Sequence, residues 1–113
     1  MLPVTLTRYF HDSRLNVESY DCNGRVLVVR IEKEIGPELG RIIFKGVSFI
    51  SLPSSLAGEK IRAELIGEVG SEFWSMWPVA RDWLEPDDVA FQIESQDGPC
   101  LVVAKSLGYE LIA

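Results

Sequence analysis

Apolar and polar residues alternate most regularly along residues 25–35 and 41–52. In the first run Leu27, Val29 and Ile31 fall on one face, and Val28, Arg30, Glu32 and Glu34 on the other. That period of two is the mark of a half-buried strand. The second run sets Ile42 and Phe44 against Arg41, Ile43 and Lys45. Its phase then slips, because Val47 and Phe49 are the apolar positions and Ser48 is polar. A bulge at Lys45-Gly46 restores one face by adding a residue. Gly46 is therefore expected to bend the strand and curve the sheet. A close approach of its backbone to a ligand is the other reading.

The flanking segments extend the same pattern. Residues 2–10 alternate Val4 and Leu6 with Thr5, Thr7 and Tyr9, which predicts a first strand. Residues 15–22 alternate again and run into Asn23-Gly24. Such a pair between two strand-like runs predicts a hairpin with a type I′ turn, both residues at positive φ. Gly36-Pro37-Glu38-Leu39-Gly40 turns the chain, and Pro53-Ser54-Ser55 stops the next strand. Over 59–69, Ile61, Ala63 and Leu65 alternate with Lys60, Arg62 and Glu64. Gly58 and Gly67 argue against the rival helix, so a strand is expected.

The segment 71–86 breaks the pattern. It holds all three tryptophans, Trp74, Trp77 and Trp83, with Phe73 and Met76. Pro78 can open a helix and Pro86 can end one, so a short helix is predicted over 78–84. Val89, Phe91 and Ile93 then alternate with Ala90, Gln92 and Glu94 as a strand. Ser95-Gln96-Asp97-Gly98-Pro99 reads as a turn. Residues 100–105 and 109–112 complete a second hairpin or one final strand kinked at Gly108. The expected fold is mainly β: one domain over 1–113, built on a curved antiparallel sheet of six or seven strands in meander order. The sheet is barrel-like or folds over as a sandwich, with the short helix covering an opening or an edge.

Composition narrows the partners. A chain of 113 residues can bury a core without disulfides or a metal. The formal net charge of −6 argues against nucleic acid and anionic membrane, which attract clustered cations. It is compatible with a basic partner. Pro3, Thr5, Thr7 and Arg8 interrupt any secretory leader, and no apolar run is long enough to span a bilayer. Cys22 and Cys100 lack metal-ligand spacing and are expected as thiols in a reducing cytoplasm.

Candidate chemistry is sparse. His11-Asp12 matches the pair used by metal-dependent phosphohydrolases, but those need further histidines on helices, and His11 is the only histidine. A nucleophilic pair of His11 with Cys22 or Cys100 has no support in the spacing. His11, Asp12 and Ser13 are expected to form a turn. Glu85, Asp87 and Asp88 cluster beside Trp83, yet they flank Pro86 and lack the regular oxygen ligands of a calcium loop. A solvated turn is expected there. No catalytic residue, cofactor or metal site is expected.

Phe73, Trp74, Met76 and Trp77 admit three readings: a plug in the end of a barrel, an exposed interface, or a sugar-stacking platform beside the acids. Phe44, Phe49 and Phe91 already claim interior space, so part of the run is expected at the surface and covered by another chain. His11-Asp12-Ser13-Arg14-Leu15, the hairpin, and Phe44-Lys45-Gly46-Val47 together resemble small uncharacterised bacterial β-rich proteins, some of immunity-protein type. The resemblance implies a non-enzymatic cytoplasmic binding protein. The expectation is a protein-interaction domain acting as a homodimer or larger, or with a protein partner. The alternative is a small-molecule or carbohydrate-binding barrel using Trp74, Trp77 and the nearby acids.

Overall fold

A computed structural model describes residues 13–33, 38–52, 55–95 and 100–111. The predicted strand over 2–10 and the His11-Asp12 pair lie outside these residues. Eight strands follow in order: β1 (Ser13–Asp21), β2 (Val26–Lys33), β3 (Glu38–Lys45), β4 (Phe49–Ser51), β5 (Ser55–Leu65), β6 (Val89–Ser95), β7 (Cys100–Ala104) and β8 (Ser106–Leu111). The fold is mainly β and antiparallel, as the alternation requires. The strands form the ladder β4-β7-β6-β5-β1-β2-β3-β8. This corrects the meander: β1-β2-β3 and β5-β6-β7 are two meanders, and β5 pairs back onto β1 through Ser13–Asn16 and Ser55–Gly58.

Two long strands bend and serve both halves of the ladder. β3 passes through Gly46 into β4, and β7 passes through Lys105 into β8. β3 pairs with β8, and β4 with β7. Each bent strand counted once makes six, within the expected range. At the corner the Lys105 amide donates to the Lys45 carbonyl (2.9 Å), and the Ser48 amide to the Val103 carbonyl (2.8 Å). The predicted bend at Gly46 is present, with φ at +68°. Its partner bends at Lys105, and Gly108 lies inside β8, not at a kink. A side chain at Gly46 would meet Lys105, so the close approach there is to the partner strand.

The curl brings β3 over β6. The Phe44 and Phe91 rings stand 5.3 Å apart at 70°, although their strands are not neighbours in the ladder. Leu15, Leu27, Val29, Ile31, Ile42, Val47, Ile61, Ile93 and Val102 complete this inner core. The two bent strands pair with each other along both arms, β3 with β8 and β4 with β7, so the sheet curls back over itself around this core. Val47, Ile50 and Leu52 pack inward, whereas Phe49 joins the opposite face. The expected single face for Val47 and Phe49 is therefore wrong: the chain changes phase again after the bend.

The Asn23-Gly24 hairpin pairs β1 with β2 as expected, but through a four-residue turn, 22–25. Arg25, not Asn23 or Gly24, holds the positive φ, at 54°. The Asn23 amide donates to the Asp21 carboxylate at 3.1 Å, an Asx turn that replaces the type I′ geometry. Glu18 is the extra residue of a bulge between Val17 and Ser19. The bulge lets Glu18 reach across β2 to Arg41 on β3, whose Nε is 3.0 Å from Glu18 Oε2.

Between β5 and β6 the chain makes an excursion over residues 66–88. It holds a 3-10 turn (Ile66–Glu68), α1 (Ser71–Met76) and α2 (Pro78–Arg81). The 59–69 segment is thus a strand only to Leu65. Pro78 opens α2 as expected, since its missing N–H is no loss in a first turn. The helix stops at Arg81 rather than at 84.

Candidate functional site

The excursion packs on the outer face of β6 and β7. Ala90, Leu101 and Val103 point outward there and are buried under Trp74. This is why β7 is buried on both faces. α1 begins at Gly70, which has extended backbone and no side-chain cap, with Glu72 in the first turn complementing the helix dipole. Phe73 lies edge-on to Trp74 at 5.0 Å, and Phe49 to Trp77 at 6.2 Å. The aromatics therefore form a second core outside the sheet, not a plug in a barrel end. The indole N–H of Trp77 is buried with no acceptor among the described residues.

The four proposed interface residues separate. Trp74 is only 7% exposed and offers no open ring face for a sugar. Phe73 and Trp77 are half-buried, and Met76 is 53% exposed. Trp83, which pattern reading did not place in the interface, is the most exposed large apolar side chain among the described residues, at 67%. Leu65, at the root of the excursion, is also exposed. The only signal that could have singled out Trp83 was its setting between Asp82 and the Glu85-Pro86-Asp87-Asp88 turn.

That turn is tied down by Lys105. The Lys105 ammonium lies 3.0 Å from Glu85, 2.6 Å from Asp87 and 2.7 Å from Asp88. Asp88 is 1% exposed, and its other oxygen accepts the Glu85 amide at 2.8 Å. Its backbone carbonyl accepts the Ile66 amide at 3.2 Å, closing the excursion at its base. The expected solvated turn is present, with Glu85 and Asp87 exposed, but Asp88 is buried and the three acids together cradle the strand corner. Desolvation works against the charge on Lys105, but hydrogen bonds to Asp87, Asp88 and Glu85 outweigh it and raise its pKa well above the ordinary 10.5. The hydrogen bond from Lys105, with help from the backbone, lowers Asp87 below its usual 3.8. A lysine held so firmly protonated is no nucleophile or general base at neutral pH.

Cys22 is exposed in the hairpin turn and Cys100 is buried at the start of β7; they carry thiols, not a disulfide. Among the described residues no cluster of three histidine, cysteine or acidic residues could hold a metal, and no helix is long and apolar enough to cross a membrane. Comparison with known proteins finds no matching family model, curated protein or solved structure.

Proposed function

We propose that the chain is a non-enzymatic protein-interaction domain that docks its partner on the excursion 66–88. The observation that carries this reading is the division of labour among its large side chains. Trp74 fastens the excursion to the sheet, while Trp83 and Met76 stand in water. Neither exposed side chain is needed to hold the helices down. Tryptophan and methionine are enriched at interface hot spots, where an exposed indole removed from water contributes most.

The partner is a protein other than a second copy. Two copies facing each other through this surface would bring like charges together, which costs affinity. A photo-crosslinker placed at position 75, exposed on the same excursion, should capture a polypeptide that also binds the purified protein in calorimetry. Trp83→Ala and Met76→Ala should weaken that binding, while Val28→Ser on the opposite half of the sheet should not. Equal binding by all three variants would remove the excursion from the interface.

A further inference from the structure

The charges on the excursion identify the chemistry of its partner. Residues 66–88 hold six carboxylates (Glu68, Glu72, Asp82, Glu85, Asp87 and Asp88) against one cation, Arg81. Five of the formal −6 charges of the chain fall there, and the remaining residues are nearly balanced, with ten cations and eleven carboxylates. The net acidity is therefore not a general solubility device spread over the surface.

Pairing shows the same segregation. On the strands, Glu18 pairs with Arg41, Glu32 with Arg30, and both Glu64 and Glu94 with Arg62. On the excursion Lys105 takes Glu85, Asp87 and Asp88. Glu68, Glu72 and Asp82 are exposed and have no cation among the described residues. Asp82 is directly next to Trp83 in the chain. An exposed indole next in the chain to an exposed carboxylate with no cation among the described residues suits a guanidinium, which can stack on a ring and bond an acid with its edge.

Resting on the docking reading above, we propose that the excursion takes an arginine-rich segment of a basic protein, one guanidinium stacking on Trp83 with Asp82, Glu72 and Glu68 completing the charge match. Lysine meets the same field but lacks the planar stack.

Calorimetric titration with capped hexa-arginine, at low and at physiological ionic strength, tests this. The wild-type protein should bind the peptide, and more weakly as salt rises. The variant Glu68→Gln/Glu72→Gln/Asp82→Asn should bind about tenfold or more weakly, since rim charges steer a cationic ligand. The control Glu18→Gln/Glu94→Gln/Glu110→Gln removes the same charge from the strands and should change the affinity less than about twofold. Trp83→Ala should weaken binding by roughly two- to fivefold, the range of an exposed cation–π contact. Equal losses from the two triple variants would mean diffuse electrostatics and overturn the proposal. So would a concentration-dependent rise in mass at low salt in the absence of peptide that Trp83→Ala abolishes, which would identify a second copy as the occupant. No binding of hexa-arginine, alongside a captured partner that still depends on Trp83, would overturn the cationic partner and leave the docking reading standing.

Discussion

Two residues with positive φ decide how the strands turn. Arg25 sits in the left-handed region at φ 54°, where a side chain clashes with its own backbone. It stays there because its carbonyl accepts the Val47 amide at 2.9 Å, which ties the hairpin end to the corner between β3 and β4. Arg25→Gly is expected to keep or raise stability, and Arg25→Val to lower it by about 1–2 kcal/mol, since a β-branched residue tolerates this region worst. Urea unfolding of the pair checks this; equal midpoints would show that the turn relaxes at no cost. Gly46 is more constrained. A Cβ there would lie 2.5 Å from Lys105 Cγ and 2.9 Å from its Cβ. Backbone strain and the clash act together, so Gly46→Ala should cost roughly 2 kcal/mol or more in the same assay. An unchanged midpoint would mean that the corner is not built on this contact.

At the scale of elements, the strands were legible in the sequence and their order was not. Leu27, Val29, Ile31, Ile42 and Phe44 are buried where alternation put them. Alternation fixes which face of a strand is dry but not which strand lies beside it, so the return of β5 onto β1 had no local signature. Asn23-Gly24 signalled a turn correctly, yet the Asp21 carboxylate took the Asn23 amide and moved the positive φ to Arg25. α1 was missed because six residues are too few to show a helical period. The acids at 85–88 were legible as a turn, but the burial of Asp88 was not, because Lys105, which gathers them, is far along the chain. Their junction gives a pH prediction. The lowered Asp87 contributes stability that is present above about 3.8 and lost as pH falls through its folded value. The raised Lys105 contributes stability that is complete below about 10.5 and lost as pH rises through its folded value. The contribution of this junction to the urea midpoint should therefore be complete between these limits and shrink on either side. Lys105→Met should lower the plateau more than Glu85→Gln, because it leaves the Asp88 carboxylate buried without its cation. It should also remove the alkaline fall that Lys105 causes. An alkaline limb unchanged in Lys105→Met would assign that limb to another group.

For the whole molecule, the two thiols distinguish a tight inner core from a loose one. Cys22 is exposed in the turn between β1 and β2, so it should react without any opening of the fold. Cys100 is 3% exposed and pairs with Ile93 at the start of β7, which lies between β4 and β6 and is covered on both faces. No fraying of an edge strand uncovers it. Its side chain lies in the inner core with Phe91 and Val102, so its reaction should wait for an opening that separates β7 from that core. Such an opening exposes much of the molecule at once, so its free energy should approach that of global unfolding. A thiol reagent should therefore modify one cysteine rapidly in the native protein and the second only through the small population that is transiently open. Both should react at once in denaturant without reductant. The comparison with Trp74→Ala makes the test specific. Removing the buried indole should destabilise the fold by about 3 kcal/mol or more, and under rapid pre-equilibrium it should speed Cys100 labelling by the matching factor of roughly a hundred. Trp83→Ala removes only an exposed ring and should leave the rate unchanged. If Cys100 reacts as fast as Cys22 in the native protein, the inner core at the start of β7 opens without unfolding, and its burial there is not what protects the thiol.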